Sequence, residues 1–347
     1  MKLLSWNVRG LGKPRTVGRL RDFLRDVNPS VVFLIETKLH ADVMLKVCKR
    51  CGFPNGIEVG SRGRSGDLCL AWRNGCQISL RSFLVRHIDF MVFDDGSGQW
   101  WRCTGFYGAP KEQNRRASWN LLRQLNDLPN VPWLIIGDFN ELLFSFEKSG
   151  GRIRSQRQMD DFREALEDCS LADIGYTGRW YTWEKGHFVE TNIRERLDRG
   201  VANPGWWSLF PDFTLSHLSH SFSDHCLLLL LTMVQSGPRV QWHFMFEAAW
   251  FLEDSCEFEV KRLWTASSGP IPERLRFVGQ GLNVWFWRLR ASRKVSKLDL
   301  TKRLEDLAAM KPSDDSLEET MEIKLALNLE MDKSELYWEQ RAHANWL

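Results

Sequence analysis

The stretch Trp133-Leu134-Ile135-Ile136-Gly137-Asp138-Phe139-Asn140 runs from a short apolar segment, through a glycine, into two polar side chains. An apolar run of this length, rich in β-branched and aromatic residues and bounded by turn formers, predicts a buried strand. Polar groups just past such a strand face the crevice that an α/β sheet opens at its strand ends. The same pattern recurs outward in both directions. Lys2 to Trp6 runs into Asn7, Val31 to Ile35 runs into Glu36, and Trp100 to Tyr107 ends on the tyrosine. Arg196 to Ala202 carries Asp198 near its start, and Ser223-Asp224-His225 immediately precedes the apolar run Cys226 to Thr232. Leu68 to Trp72, Ile78 to Val85 and Trp180 to Trp183 complete the predicted strands.

Helices are expected between these runs. Val17, Leu20, Phe23, Leu24 and Val27 recur at helical spacing before the stop Asn28-Pro29. Asn114 to Leu128 and Met159 to Cys169 fit two more, the latter with Phe162 and Leu166 on its apolar side. Strands alternating with amphipathic helices make an α/β domain with helices covering the strand faces.

A chain of 347 residues exceeds the size at which one core usually stops growing, which predicts two units. Hydrophobic residues at 43% and charged residues at 26% exclude disordered, collagen-like and disulfide-scaffold classes. The natural division falls near Gly237-Pro238, giving domains 1–234 and 235–347. Lys and Arg outnumber Asp and Glu before that pair, 31 against 26, and fall short after it, 16 against 18. So mild an excess is compatible with a polyanionic partner without indicating one. From Arg239 onward glycine and proline thin out. Leu298 to Leu347 reads as one or two long helices interrupted near Lys311-Pro312-Ser313.

Eight irregularly spaced cysteines suit a reduced intracellular protein better than a disulfide framework. Cys48 and Cys51 form a lone C-x-x-C with no second pair at zinc spacing, and read as a helix end running into Gly52. The start is too polar for a signal peptide, and the longest apolar run, Cys226 to Leu231, is too short to span a bilayer. A nuclear or cytoplasmic protein without a membrane partner is expected; oligomeric state is not legible.

The strand-end residues comprise four carboxylates (Glu36, Asp138, Asp198, Asp224), two carboxamides (Asn7, Asn140), Tyr107 and His225. Singly, an Asn or Asp at such a place is a turn former or helix cap, His225 a structural histidine and Tyr107 a packing residue. Taken in order, they point to a hard cation and to acid/base work on a phosphate. Oxygen ligands select magnesium or manganese over zinc. A histidine and an aspartate beside that ion can move or orient protons.

The segments Ser5-Trp6-Asn7-Val8-Arg9-Gly10-Leu11, Glu36-Thr37-Lys38, Gly105-Phe106-Tyr107-Gly108, Gly137-Asp138-Phe139-Asn140-Glu141 and Ser223-Asp224-His225 resemble, in order and spacing, the motifs of the endonuclease/exonuclease/phosphatase superfamily. The resemblance implies a four-layered α/β sandwich, two packed mixed β-sheets flanked by helices, followed here by a mainly helical C-terminal extension. It further implies Mg2+, or Mn2+, held by Glu36 with Asn7 and Asp224. Asp138 would activate or position the attacking water, with Asn140 holding it. His225 would donate to the scissile phosphate, oriented by Asp198, and Tyr107 would contact the phosphate.

The superfamily acts on DNA, RNA, inositol phosphates and lipids, so its shared core does not name a substrate. The flanks do more. Trp6 to Gly12, Leu68-Cys69-Leu70-Ala71-Trp72 and Asn203-Pro204-Gly205-Trp206-Trp207 resemble the endonuclease of plant non-LTR, LINE-type retrotransposons. In that branch Thr182 matches a threonine near the substrate backbone. Glu184 to Glu195 matches a hairpin laid against DNA, in which Lys185, His187, Arg194 and the neighbouring Arg196 would contact phosphates. Glu335 to Arg341 with Asn345-Trp346-Leu347 resembles the helix preceding the reverse transcriptase, and no polymerase motif follows. The expected function is a DNA-nicking endonuclease. A same-fold phosphatase or lipid phosphodiesterase and a noncatalytic scaffold fragment are the alternatives.

Overall fold

The computed structural model describes residues 1–60, 67–186, 191–218, 223–232, 250, 253–309 and scattered positions between 318 and 329. The chain divides into two compact units, Met1–Gln241 and Trp242–Leu347.

The first unit is built on two large mixed sheets. One has seven strands in the spatial order Thr177–Gly178, Thr214–Leu218, Leu227–Leu231, Lys2–Asn7, Val31–Ile35, Leu68–Trp72, Asn55–Val59. The other has six, in the order Ala172–Asp173, Asp198–Ala202, Trp133–Asp138, Gln99–Tyr107, His87–Asp94, Ile78–Leu84. A small third sheet joins the hairpin Trp183–Lys185 and Ile193–Glu195 to Lys148–Ser149.

Because strand side chains alternate between faces, each large sheet offers one face to the other sheet and one to helices. The inner layer packs Val31, Phe33, Ile35 and Leu70 of the first sheet with Phe90, Trp101, Leu134 and Ile136 of the second. Each fully buried side chain of this size contributes roughly 1.5–3 kcal/mol. A Cβ at Gly105 would stand 2.5 Å from the Phe33 ring, so only glycine lets the sheets close there. On the outer face of the first sheet, Leu4, Trp6, Val32 and Leu34 meet Leu20 and Leu24 of helix Pro14–Val27 and Met44 and Val47 of helix Ala41–Arg50. On the far side of the second sheet, helices Arg115–Leu125 and Gln156–Asp168 stack Trp119 on Phe162 at 4.3 Å. Helix, sheet, sheet, helix is the four-layered sandwich expected.

Several boundaries differ from the sequence expectation. The strand expected over Trp180 to Trp183 lies at Trp183–Lys185, and that expected from Arg196 starts at Asp198, because pairing with other strands starts at those residues. His87–Asp94 was not anticipated. Its Asp89 is buried against the Arg102 guanidinium (2.9 and 3.0 Å), so a polar residue sits where alternation leads one to expect an apolar one. Helix Ala41–Arg50 ends at Cys51 before Gly52, so the C-x-x-C does mark a helix end.

The second unit holds helices Cys256–Ala266 and Ile271–Ala309. Gly281 lets them approach, since a Cβ there would lie 2.4 Å from Leu263, and Trp250 packs edge-on to Trp285 at 6.0 Å. The long helix begins well before the expected Leu298. The expected break at Lys311-Pro312-Ser313 lies outside the described residues.

Candidate active site

Six strands of the first unit deliver polar side chains to one end of the sandwich. Asn7, Tyr107 and Asp138 are the last residues of their strands, Glu36 follows Ile35, Asp198 opens its strand, and His225 stands two residues before Leu227. Register does the assembly. Asp138 pairs with Tyr107 on one side and with Asp198 on the other, so three site residues stand side by side on adjacent strands. The late Ser223-Asp224-His225 segment is fastened to the first strand. Ser223 Oγ donates to the Asn7 carbonyl at 2.7 Å and accepts from the His225 N–H at 3.1 Å, while Trp6 Nε1 donates to the His225 carbonyl at 3.2 Å.

The site has two halves joined by one amide. In the first, the Tyr107 hydroxyl donates to Glu36 Oε1 at 2.9 Å, and Asn7 Nδ2 donates to the same oxygen at 3.3 Å. Asn7 Nδ2 also donates to Asp138 Oδ2 at 3.0 Å, which reaches the second half. There His225 Nδ1 is 2.8 Å from Asp198 Oδ2, and His225 Nε2 is 4.0 Å from Asp138 Oδ2. The Asn140 N–H donates to Asp138 Oδ1 at 2.9 Å, and Asn140 Nδ2 donates to the Gly108 carbonyl at 3.1 Å. Backbone geometry makes the turn tight. Gly137 has φ +151, and a Cβ there would lie 2.1 Å from the Phe106 carbonyl; Asn140 itself is left-handed at φ +55.

Burial and charge set the protonation states. Burial, reinforced by the Asp198 charge, lifts the Asp138 carboxyl to about 7. Burial opposes a charge on His225, but Asp198 and then Asp138 outweigh it and raise the imidazole to about 9. His225 is therefore an imidazolium at neutral pH, with Asp138 poised near neutrality. Burial likewise pushes Glu36 up, but the Tyr107 hydrogen bond and the Arg9 charge overcome it and leave the carboxyl lowered. Burial and the Glu36 charge raise Tyr107, which keeps its hydroxyl a donor.

Asp138, Asp198 and His225 bring one donor atom each within 4.8 Å of one another, the one such group among the described residues. His225 Nδ1 is already engaged by Asp198 Oδ2 at 2.8 Å, and hard divalent ions prefer oxygen ligands to imidazole, so such a cation fits the Glu36 half better. There Glu36 and Asp224 offer carboxylate oxygens of the kind hard divalent ions take. Asp224 Oδ1 has no aligned hydrogen-bond donor, although Arg9 Nε stands 3.1 Å away as an ion pair. Asn7 differs from expectation. It turns its amide nitrogen to Glu36 and accepts from the Arg9 N–H on Oδ1 at 3.1 Å, so in this geometry it orients Glu36 rather than ligating beside it.

Three residues at the site were missed. Arg9 reaches Glu36 Oε1 at 3.5 Å, Lys38 Nζ reaches Glu36 Oε2 at 3.2 Å, and Trp183 Nε1 donates to Asp224 Oδ2 at 3.0 Å. A signal existed for the two cations. Each stands two residues past a strand-end site residue, in Asn7-Val8-Arg9 and Glu36-Thr37-Lys38.

The substrate-contact residues divide. Lys185 and Arg194 are exposed on the two-stranded hairpin, with the Arg194 guanidinium 5.3 Å over the Tyr181 ring. His187 lies outside the described residues. Thr182 is buried, and its hydroxyl accepts from the Leu197 and Asp198 N–H groups at 2.9 Å each, so it fixes the backbone that presents Asp198. Arg196 corrects the expectation of a phosphate contact. It is 4% exposed and paired inside with Glu147 and Asp173, both at 2.8 Å, which leaves no free face for a phosphate. Tyr107, also expected on the phosphate, is buried with its hydroxyl committed to Glu36.

Residues 4–225 match the model of a family described as the Endonuclease/Exonuclease/phosphatase family. Comparison with curated proteins finds no match. Among solved structures, the endonuclease domain of TRAS1, a telomere-specific non-LTR retrotransposon, is 11% identical with a TM-score of 0.51, covering 68% of this chain and 99% of its own. The 3'-5' exonuclease NExo from Neisseria meningitidis is 17% identical with a TM-score of 0.52, covering 67% and 100%. The AP endonuclease LMAP from Leishmania major is also 17% identical at 0.52, covering 66% and 86%. At such identities the likeness is one of fold.

Proposed function

We propose, from the premise that this chain belongs to the Endonuclease/Exonuclease/phosphatase family, that the Met1–Gln241 unit is a magnesium-dependent phosphodiesterase that nicks DNA. The observation that carries the hydrolytic reading is the joined pair of buried triads, Asn7–Glu36–Tyr107 and Asp138–His225–Asp198. DNA as the substrate rests on the flanking sequence resemblance and on the exposed Lys185 and Arg194 of the hairpin.

Magnesium, held by Glu36 with Asp224, would neutralise charge developing on the phosphate oxygens. The chain's own groups supply the rest. The Asn140 N–H and the Asn7 amide each hold one oxygen of Asp138, and the second lone pair of Oδ2 can accept a proton from an attacking water. The His225 imidazolium, oriented by Asp198, presents Nε2–H beside Asp138 and can donate to a phosphate oxygen. Tyr107 and Asn7 hold the Glu36 carboxylate in one orientation.

Supercoiled plasmid distinguishes this reading from its rivals. Purified protein with magnesium should convert it to the open circle, chelation should stop the reaction, and Asp138→Ala should be inert. An intact plasmid together with turnover of small phosphate esters would support a phosphatase instead.

A further inference from the structure

Arg9 occupies an unusual place. It follows the Asn7 strand end at φ +51, and Glu36 and Lys38 on the neighbouring loop are also left-handed, at φ +54 and +55. Such conformations cost energy in residues other than glycine and persist where the surroundings over-determine them. Here the two loops are fastened together, with the Val8 N–H on the Ile35 carbonyl at 3.0 Å and the Leu11 N–H on the Thr37 carbonyl at 2.9 Å. The result is that the Arg9 guanidinium bridges two carboxylates, Nη1 at 3.5 Å from Glu36 Oε1 and Nε at 3.1 Å from Asp224 Oδ1. Lys38 lies along Gly10 and closes the other Glu36 oxygen. Glu36 is almost entirely buried, whereas the Arg9 side chain is 45% exposed. The acid is fixed and its cationic partner faces water.

We propose that Arg9 is a positioning residue that acts as the resident counter-cation of the Glu36–Asp224 pair and competes with the divalent ion for the same oxygens. The inference rests on the metal assignment made above. Bridging two carboxylates, the guanidinium holds them in place and suppresses their mutual repulsion without an ion. An incoming cation must displace it, so Arg9 lowers the affinity of the site, and its exposed side chain has solvent to move into. Linkage makes the effect reciprocal: removing the competitor tightens ion binding by the factor with which the two exclude one another.

The test is calorimetric titration of the full chain with Mn2+ for wild type, Arg9→Asn and Glu36→Ala, with melting curves in chelator and in saturating magnesium. Asparagine tolerates the left-handed backbone, which keeps the substitution from failing on strain. Arg9→Asn should bind Mn2+ about fivefold more tightly or better, the lower end of common coupling strengths. It should melt below wild type in chelator and level with it in magnesium. A merely structural arginine would lower stability in both conditions and leave affinity unchanged or weaker, and that result overturns the proposal. Lys38→Ala, which opens the other Glu36 oxygen, should shift affinity in the same direction and serves if Arg9→Asn does not fold. Glu36→Ala separates the two ideas. Unchanged Mn2+ binding in that variant removes the metal assignment itself, whereas lost binding there with no gain in Arg9→Asn removes the competition alone.

Discussion

Two buried charge clusters lie one residue apart in sequence, and they are built on opposite terms. Arg199, next to Asp198, belongs with Arg196, Glu147 and Asp173 to a quartet of two cations and two carboxylates. Its ion pairs run from 2.8 to 3.1 Å, and the Leu143 N–H adds a hydrogen bond to Glu147 at 2.6 Å. Burial works against charge there, yet the two arginines hold Glu147 below its ordinary value and Asp173 down to about 2. In the neighbouring cluster, Asp138 and Asp198 share one histidine, and burial lifts Asp138 to about 7. The same sheet end therefore satisfies its charges in one place and leaves them out of balance in the other. Balance makes a structural joint; the imbalance leaves a carboxyl and an imidazole whose proton affinities are both displaced, the mark of groups able to exchange protons near neutral pH.

The largest expected effect breaks the balanced cluster. Glu147→Ala leaves two arginines buried against Asp173 alone and should cost about 3–5 kcal/mol in urea unfolding. Nicking per folded molecule should hardly change. A loss below about 1 kcal/mol would mean the quartet is no joint.

The unbalanced cluster should respond in the opposite sense. Asp138→Asn removes a carboxyl whose charge burial and then Asp198 disfavour, so stability at neutral pH should hold or rise. Loss of its role in the transition state should lower the nicking rate roughly a hundred- to a thousandfold. Stability and activity falling together would erase the distinction between the clusters.

Neither cluster was equally legible from sequence, and the reason is range. Asn7, Glu36, Tyr107 and Asp138 stand at the ends of apolar runs, so a local pattern locates each of them. The quartet has no local pattern, because Glu147 is 52 residues from Arg199 and Asp173 is 26. The same holds for Arg196, which composition alone makes a surface cation until those partners are known. Arg9 and Lys38 needed one step more. Their side chains reach Glu36 from left-handed backbone positions, and nothing in residue type announces φ +51 or +55 at a non-glycine position. Strand existence was legible at most of the longer apolar runs, and was lost at Asn55–Val59, His87–Asp94 and Thr214–Leu218, where polar residues such as Glu58, Asp89 and His217 break the pattern.

A third titratable group, His217, tests burial without a compensating charge. His217 is buried, stacked on Tyr176 at 4.0 Å with Nδ1 2.8 Å from the Arg179 carbonyl, and burial together with the Arg196 charge lowers it to about 3. Its folded value lies below the unfolded one near 6.5, so between those pH values the unfolded chain binds the proton and the folded chain does not. Stability should be unaffected by this group above pH 6.5 and should fall as pH drops through the window. The slope is about 1.4 kcal/mol per pH unit. His217→Gln should flatten that part of a stability-against-pH curve, and an unchanged slope would put the acid sensitivity elsewhere.

The smallest effect concerns cations left in solvent. Arg194 and Lys185 are exposed on the hairpin, whereas Arg196, two residues on from Arg194, is sealed inside. If the hairpin lies on DNA, each exposed cation that meets a phosphate releases counterions, and binding weakens with salt in proportion to the number of such contacts. Arg194→Ala and Lys185→Ala should each flatten the slope of log affinity against log salt by roughly 0.9 for duplex DNA. Both should leave the melting temperature unmoved, because neither side chain holds a buried partner. Arg196→Ala should do the reverse, lowering stability through the quartet. A flattened slope in a folded Arg196→Ala protein would make Arg196 a phosphate contact after all, and an unchanged slope in the two hairpin variants would place the contacts on some other face of the unit.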